Sequence, residues 1–269
     1  MEYYADVHRN TRNGEGFRIT YTSDGASFML ADGFDEVPAR SGDRVFVDTI
    51  PLSHTDEVIG MLGRGVEVYY LRRLTLIARR REELRLPKTA RGDIRALMSI
   101  EQKWFRRVTE DFLVMRRMVV AYRSLMRARQ QLLNKSKALT DLERYVVKPA
   151  IKALEQQMEE LAMRIVEEAG RRYPAYNRLV EELGIDSNLT AMEALAEVLV
   201  FPEWCSWRRT KNYFGLWKRD RRTHYHKSKT ARLALERLAM SIRGRNIKGK
   251  DLGDVLKTLW LAQKAGPPA

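Results

Sequence analysis

Asp6 and Asp48 each interrupt a run that otherwise suits a buried β-strand, Tyr4-Ala5-Asp6-Val7-His8 and Val45-Phe46-Val47-Asp48-Thr49-Ile50. A carboxylate is expensive to bury unless a cation or a set of hydrogen bonds satisfies it. Strands that present such residues side by side can hold one or two Mg²⁺ for metal-dependent cleavage of phosphodiesters. Asp93, which opens a helical segment after Lys88-Thr89-Ala90-Arg91-Gly92, supplies a third candidate ligand. The same residues have a plainer structural account: Asp6 ends a strand, Asp48 faces solvent on an alternating strand, and Asp93 caps a helix.

A second constellation is electrostatic. Between Glu203 and Lys250 the chain carries fifteen Lys or Arg residues against three Asp or Glu, so this stretch holds +12 of the chain's net +14. Residues 1–100, with fifteen basic and fifteen acidic side chains, are electroneutral. A basic surface kept only for solubility would be spread evenly, whereas this one is regional and fits a polyanionic partner, RNA or DNA. Arg208, Arg209, Lys211, Lys218, Arg219, Arg221, Arg222, Lys227, Lys229 and Arg232 are the candidate phosphate-binding residues, with Trp217 and Tyr225 as candidate stacking surfaces.

No run approaches the roughly 18 uninterrupted apolar residues of a membrane span. The opening Met1-Glu2-Tyr3-Tyr4-Ala5-Asp6 lacks the form of a signal peptide, and the single Cys205 excludes an internal disulfide. These features predict an intracellular protein of the cytoplasm or nucleoid, without membrane contact.

The elements that must position these residues follow from periodicity. Strands are predicted at Glu2 to Val7, Phe17 to Tyr21, Ala26 to Leu30, Arg44 to Ile50 and Val66 to Leu71, with a helix from Asp56 to Arg64. Three strands followed by a helix-connected pair suggest an α/β layer fold of the ribonuclease-H type. Arg72 to Pro87 has no readable period. From Asp93 to about Ala138 there is neither Pro nor Gly, and Trp104, Val108, Phe112, Met115, Val119, Tyr122 and Met126 recur at helical spacing, so one long helix is expected.

Thr140-Asp141-Leu142-Glu143 has capping-box form and starts a second helix, which Pro149 should start or kink and Gly170 should end. Its stripe Ile151, Leu154, Met158, Leu161, Ile165 is the seam of an antiparallel coiled-coil hairpin or of a homo-oligomer. Shorter helices are expected at about Ala175 to Leu183, Thr190 to Leu199, Trp204 to Tyr213, Thr230 to Ile242 and Leu252 to Gln263. The predicted class is therefore α/β plus all-α: a domain over 1–97, a long helical hairpin over 98–172 and a small basic helical domain over 173–269.

In this order the words of the chain resemble the DEDD transposases, the insertion-sequence family that includes pilin-gene invertases and bridge-RNA-guided recombinases. Ala5-Asp6-Val7-His8 is similar to that family's opening Asp strand, and Lys88-Thr89-Ala90-Arg91-Gly92-Asp93-Ile94-Arg95-Ala96-Leu97 to its Lys-Thr-Asp-x-x-Asp-Ala segment. Leu113 to Leu139 resembles its Arg-rich coiled coil. Leu183-Gly184-Ile185 through Ala191, Glu197 to Pro202, and Tyr213-Phe214-Gly215-Leu216 resemble its C-terminal domain.

The resemblance implies a ribonuclease-H-like domain with four metal-binding acids, a coiled coil, and a helical domain carrying a serine nucleophile, directed by a structured RNA. This chain departs from the pattern in three places. The second acid would be Asp48 rather than Glu, the third is Ala90, and the Ser-Gly loop after Leu216 is missing. Asp6, Asp48 and Asp93 would then make a weak or single Mg²⁺ site. Thr223 or Ser228, near His224 and His226, would be a displaced nucleophile, although Ser228 also suits a helix N-cap. Three functions are consistent with these residues: a nucleic-acid-binding, structured-RNA-binding descendant that has lost strand transfer; an active RNA-guided recombinase; and a ribonucleoprotein scaffold.

Overall fold

The computed structural model describes residues 1–9, 16–200, 204, 206–216, 228–244 and 247–264. The chain divides into two compact units, Met1–Val114 and Met115–Ala269.

The first unit is built on a mixed six-stranded sheet of order β3-β2-β1-β4-β5-β6. Its strands are β1 (Glu2–Arg9), β2 (Phe17–Thr22), β3 (Met29–Ala31), β4 (Arg44–Val47), β5 (Glu67–Leu71) and β6 (Phe105–Arg107). β1, β2 and β3 form an antiparallel meander, β4 and β5 run parallel to β1, and β6 returns antiparallel at the edge. Helix α1 (Thr55–Gly63), with Val58 and Met61 wholly buried, makes the crossover between β4 and β5. α2 (Thr75–Glu83) and α3 (Ala90–Met98) follow.

Side chains alternate across a strand, and that period fixes the two faces. Tyr4, Phe46 and Tyr69 stack across β1, β4 and β5 with ring centroids 5.0 and 5.1 Å apart, and Phe105 meets Phe46 edge-on. Leu97 and Ala96 of α3 and Ile77 of α2 cover this face. The alternate residues Ala5, Val45, Val47 and Val68 are wholly buried.

The expected helix from Asp93 to Ala138 is corrected. α3 ends at Met98, a 3₁₀ turn spans Gln102–Trp104, β6 follows, and α4 (Glu110–Ser136) begins afresh. Pairing of Phe105 with Leu71 recruits the segment into the sheet. The apolar spacing of Trp104, Val108 and Phe112 fits a helix equally well, so tertiary pairing overrides the local pattern.

The second unit is helical: the greater part of α4, then α5 (Asp141–Arg172), α6 (Tyr176–Leu183), α7 (Leu189–Val200), α8 (Trp207–Tyr213), α9 (Lys229–Arg243) and α10 (Gly249–Lys264). The capping box forms as expected, with Glu143 returning its carboxylate to the Thr140 N–H. Pro149 lies inside α5, and Gly170 does not end it. The helix stops at Tyr173, because Pro174 disfavours helical geometry in the residue before it. Gly170 has a different duty: a Cβ there would meet Asn177 Oδ1 of α6 at 3.0 Å. α4 and α5 are tied near their shared end by Arg129, which donates to Glu155 at 2.6 and 2.8 Å.

α7 is the core of this unit, buried from Ala191 to Val200 apart from Met192, and the buried stretch includes two glutamates. Glu193 and Glu197, one turn apart, both receive Arg237 of α9 at 2.6 Å, and Glu197 also takes Arg123 of α4. Burial pushes the Glu193 carboxyl up, and Arg237 opposes it. Burial alone would lower Arg237, but Glu193 and Glu197 together hold it well above its usual range. One arginine of the basic stretch is thus spent inside the fold.

Truncating Glu197 to Ala should take the carboxylate from Arg123 and leave Arg237 with Glu193 alone in a largely buried site, a loss of about 3–5 kcal/mol. Urea denaturation of the variant should show this as a lower midpoint at unchanged m-value. A loss below about 1 kcal/mol would mean that water reaches the network.

Candidate functional site: an acid pocket beside the central strand

Asp6 lies two residues beyond Tyr4 on β1, and Asp48 two beyond Phe46, immediately after β4. Both therefore fall on the face that α3 covers. The parallel pairing of Ala5 with Val47 sets them side by side, and Asp48 Oδ1 accepts the Val7 N–H at 3.1 Å. Asp93 joins them from the first turn of α3, where the helix dipole favours negative charge.

The plainer account of these residues does not hold. Asp6 is internal to β1 and only 7% exposed, Asp48 is engaged with the neighbouring strand, and the cap of α3 is Thr89, whose Oγ1 accepts the Gly92 N–H at 3.1 Å. Gly92 is required there, since a Cβ would fall 2.0 Å from the Pro87 carbonyl oxygen.

The three carboxylates act on one another through Asp6. Burial pushes Asp48 up to about 7, with the charge of Asp6 adding to it and the N–H groups of Val7 and Thr49 opposing. Burial raises Asp6 to about 6, reinforced by Asp93 and opposed by His8 and Arg81. Asp93 is raised by burial against Arg81 and Lys88. His8, on the same face of β1, sits with Nε2 2.9 Å from Thr20 Oγ1.

Sequence reasoning missed Arg81. Its Nε lies 2.8 Å from Asp93 Oδ1, and its side chain is 15% exposed. The contact is close but poorly directed: Arg81 Nε, Arg81 Nη1 and Asp93 Oδ1 are buried without an aligned hydrogen bond. A signal existed, because Arg81 follows the buried Ile77 by one turn and so shares its helix face.

Among the described residues no group of three or more His, Cys, Asp or Glu side chains is arranged to hold a metal ion. With a guanidinium against Asp93 and no side-chain carboxylate at Ala90, the pocket in this arrangement does not fit a bound Mg²⁺, which needs near-octahedral oxygen ligands.

Beside the acids, Arg91 and Arg95, both exposed on α3, place their guanidinium carbons 5.6 and 5.4 Å from the ring centre of Phe28. Neither has an acidic partner within 4 Å among the described residues. A surface cleft of about 830 Å³ opens at the other ends of β4 and β5, but its Arg44 and Arg107 are paired with Glu2 and Glu67.

Of the candidate nucleic-acid contacts, Arg208, Arg209 and Lys229 are exposed. Lys211 lies over the Trp207 ring at 5.5 Å, and Arg232 donates to Glu236 at 2.6 Å and to the Phe214 carbonyl at 3.4 Å. Ser228 caps α9, its Oγ accepting the Ala231 N–H at 3.2 Å. Trp217, Lys218, Arg219, Arg221, Arg222, Thr223, His224, Tyr225, His226 and Lys227 lie outside the described residues. Gly184 takes the left-handed conformation (φ 61°) and ends α6 with Ile185 buried behind it, an ordinary helix stop. No helix among the described residues is long and apolar enough to cross a membrane.

The fold and pocket define a mixed α/β unit with buried acids at the carboxyl end of its central parallel strand, followed by a helical unit. No model of a known protein family matches this chain, and no curated protein sequence matches it significantly.

The raised acids make stability depend on pH. Asp6 and Asp48 bind protons more tightly folded than unfolded, so the folded state takes up protons between about pH 4 and pH 7 and stability falls as pH rises through that window. Asp48→Asn should flatten the fall by an amount on the order of a few kcal/mol, read from urea midpoints at successive pH values. An unchanged slope in that variant would show Asp48 to be ionised in the folded protein throughout.

Proposed function

We propose that the chain is a nucleic-acid-binding protein, directed at structured RNA and related to the DEDD transposases, in which strand-transfer chemistry has been lost. The observation that carries this reading is the +12 stretch between Glu203 and Lys250, of which Arg208, Arg209, Lys229, Arg243, Lys248 and Lys250 are exposed. Such a surface neutralises phosphates with little dependence on base sequence.

The first unit supports the same descent. Its order β3-β2-β1-β4-β5, antiparallel up to β1 and parallel beyond it, is what a ribonuclease-H-like domain would have. So is the placing of acids on β1, after β4 and on a helix lying over β1. Loss of chemistry is supported by Ala90, by Arg81 against Asp93, and by Ser228 acting as a cap. The reading extends to self-association through the half-buried stripe Ile151, Leu154, Met158 and Leu161 of α5.

Binding to duplex DNA should weaken steeply with salt, with a log–log slope of about −5 to −9 if roughly six to ten phosphates are engaged. Replacing Arg209, Lys229 and Arg243 together by Ala should make that slope shallower by about 2–3. A wild-type slope shallower than about −2 overturns the proposal. RNA that copurifies with the protein should be structured, and neither cleavage nor joining of DNA should occur in Mg²⁺ or Mn²⁺. Recombination products formed with that RNA, and abolished by Thr223→Ala or Ser228→Ala, would establish an active recombinase instead.

A further inference from the structure

A guanidinium cannot give up its proton in a protein, so its charge leaves a site only if the side chain moves. Arg81 is placed where that matters. Its two neighbours on α2, Arg79 and Arg80, both turn to Glu83, at 2.8 and 2.7 Å. Arg81 alone turns inward, along the face that begins with the buried Ile77, and reaches Asp93. Asp93 in turn belongs to the same electrostatic group as Asp6 and Asp48.

The fit of Arg81 to Asp93 is electrostatic rather than directional. A well-made arginine–carboxylate pair uses two parallel N–H···O bonds. Here Nε approaches to 2.8 Å, yet Nε, Nη1 and Asp93 Oδ1 all remain without an aligned hydrogen bond although buried. Buried donors and acceptors left in this state are destabilising, and a competing cation that uses the carboxylate oxygens more fully has an advantage. Ala90, on the first turn of the same helix, adds no side-chain carboxylate to strengthen either cation's hold.

We propose that Arg81 is the resident cation of the acid pocket and that a divalent ion enters only by displacing it. The guanidinium keeps Asp93 from a metal and leaves Asp6 and Asp48 as an incomplete ligand set. Metal binding by the unmodified protein is therefore weak, whatever the larger binding partner of the chain. The inference rests on the pocket alone and stands or falls separately from nucleic-acid binding.

The test uses the full chain and Mn²⁺ as probe, with free Mn²⁺ followed by electron paramagnetic resonance. Arg81→Gln, which removes the charge but keeps a polar side chain, should bind one Mn²⁺ at least about tenfold more tightly than wild type. Adding Asp48→Asn should abolish the gain. Equal affinities in wild type and Arg81→Gln, or no uptake by a folded Arg81→Gln as judged by circular dichroism, would overturn the proposal. Wild type gives a readout that needs no substitution: about 1 mM Mn²⁺ should leave its thermal midpoint unmoved, because a ligand held more weakly than its concentration stabilises little. A clear upward shift of the wild-type midpoint would overturn it as well.

Discussion

Carboxylates buried against the central strand are the constraint around which the first unit is arranged. An ionised Asp in an apolar interior is costly enough that it must be neutralised by a proton, a cation or directed N–H groups. All three devices are present here. Burial raises Asp6 and Asp48 toward neutrality, the Val7 N–H binds Asp48, and Arg81 faces Asp93. The close seating of α3 is part of the same solution, since only glycine at position 92 lets the helix start so near the Pro87 carbonyl.

The two units handle buried charge differently. In the acid pocket the acids outnumber the single arginine, and the contact between Arg81 and Asp93 is misaligned. In the helical unit two glutamates meet two arginines, with contacts of 2.5 to 2.6 Å. The second arrangement balances two carboxylates with two guanidinium groups, as suits a structural core, although Arg123 Nη2 there also lacks an aligned hydrogen bond. The first keeps acids in excess and raises their carboxyl groups, a condition that clusters at sites that act on something else.

Much of this was legible in the chain. Tyr4 with Asp6 and Phe46 with Asp48 are two period-2 pairs, and each aromatic reports the face on which its acid lies. The helices from Tyr176 onward, bounded by Pro174, Gly184 and Gly244, kept close to their expected limits. What failed was local pattern in the service of distant partners. Trp104, Val108 and Phe112 are spaced as in a helix, yet Phe105 pairs with Leu71. α2 was unreadable because its inner face consists largely of one isoleucine and one arginine, and no apolar period announces a helix whose second inward residue is charged. Once α2 is recognised as a helix, Arg81 follows from its place one turn beyond Ile77 and from asking which partner Asp93 would need.

The slot between Glu193 and Glu197 also governs how this sequence can change over generations. One guanidinium bridges two carboxylates a turn apart, and a second one shares Glu197, so a substitution at any of the four positions takes a charge partner from another. Drift through single steps is costly, and an exchange for apolar residues is favoured as a coordinated set even though such a core is often no less stable. Relatives that diverge widely on the exposed basic surface should therefore hold these four positions together, or have replaced them together.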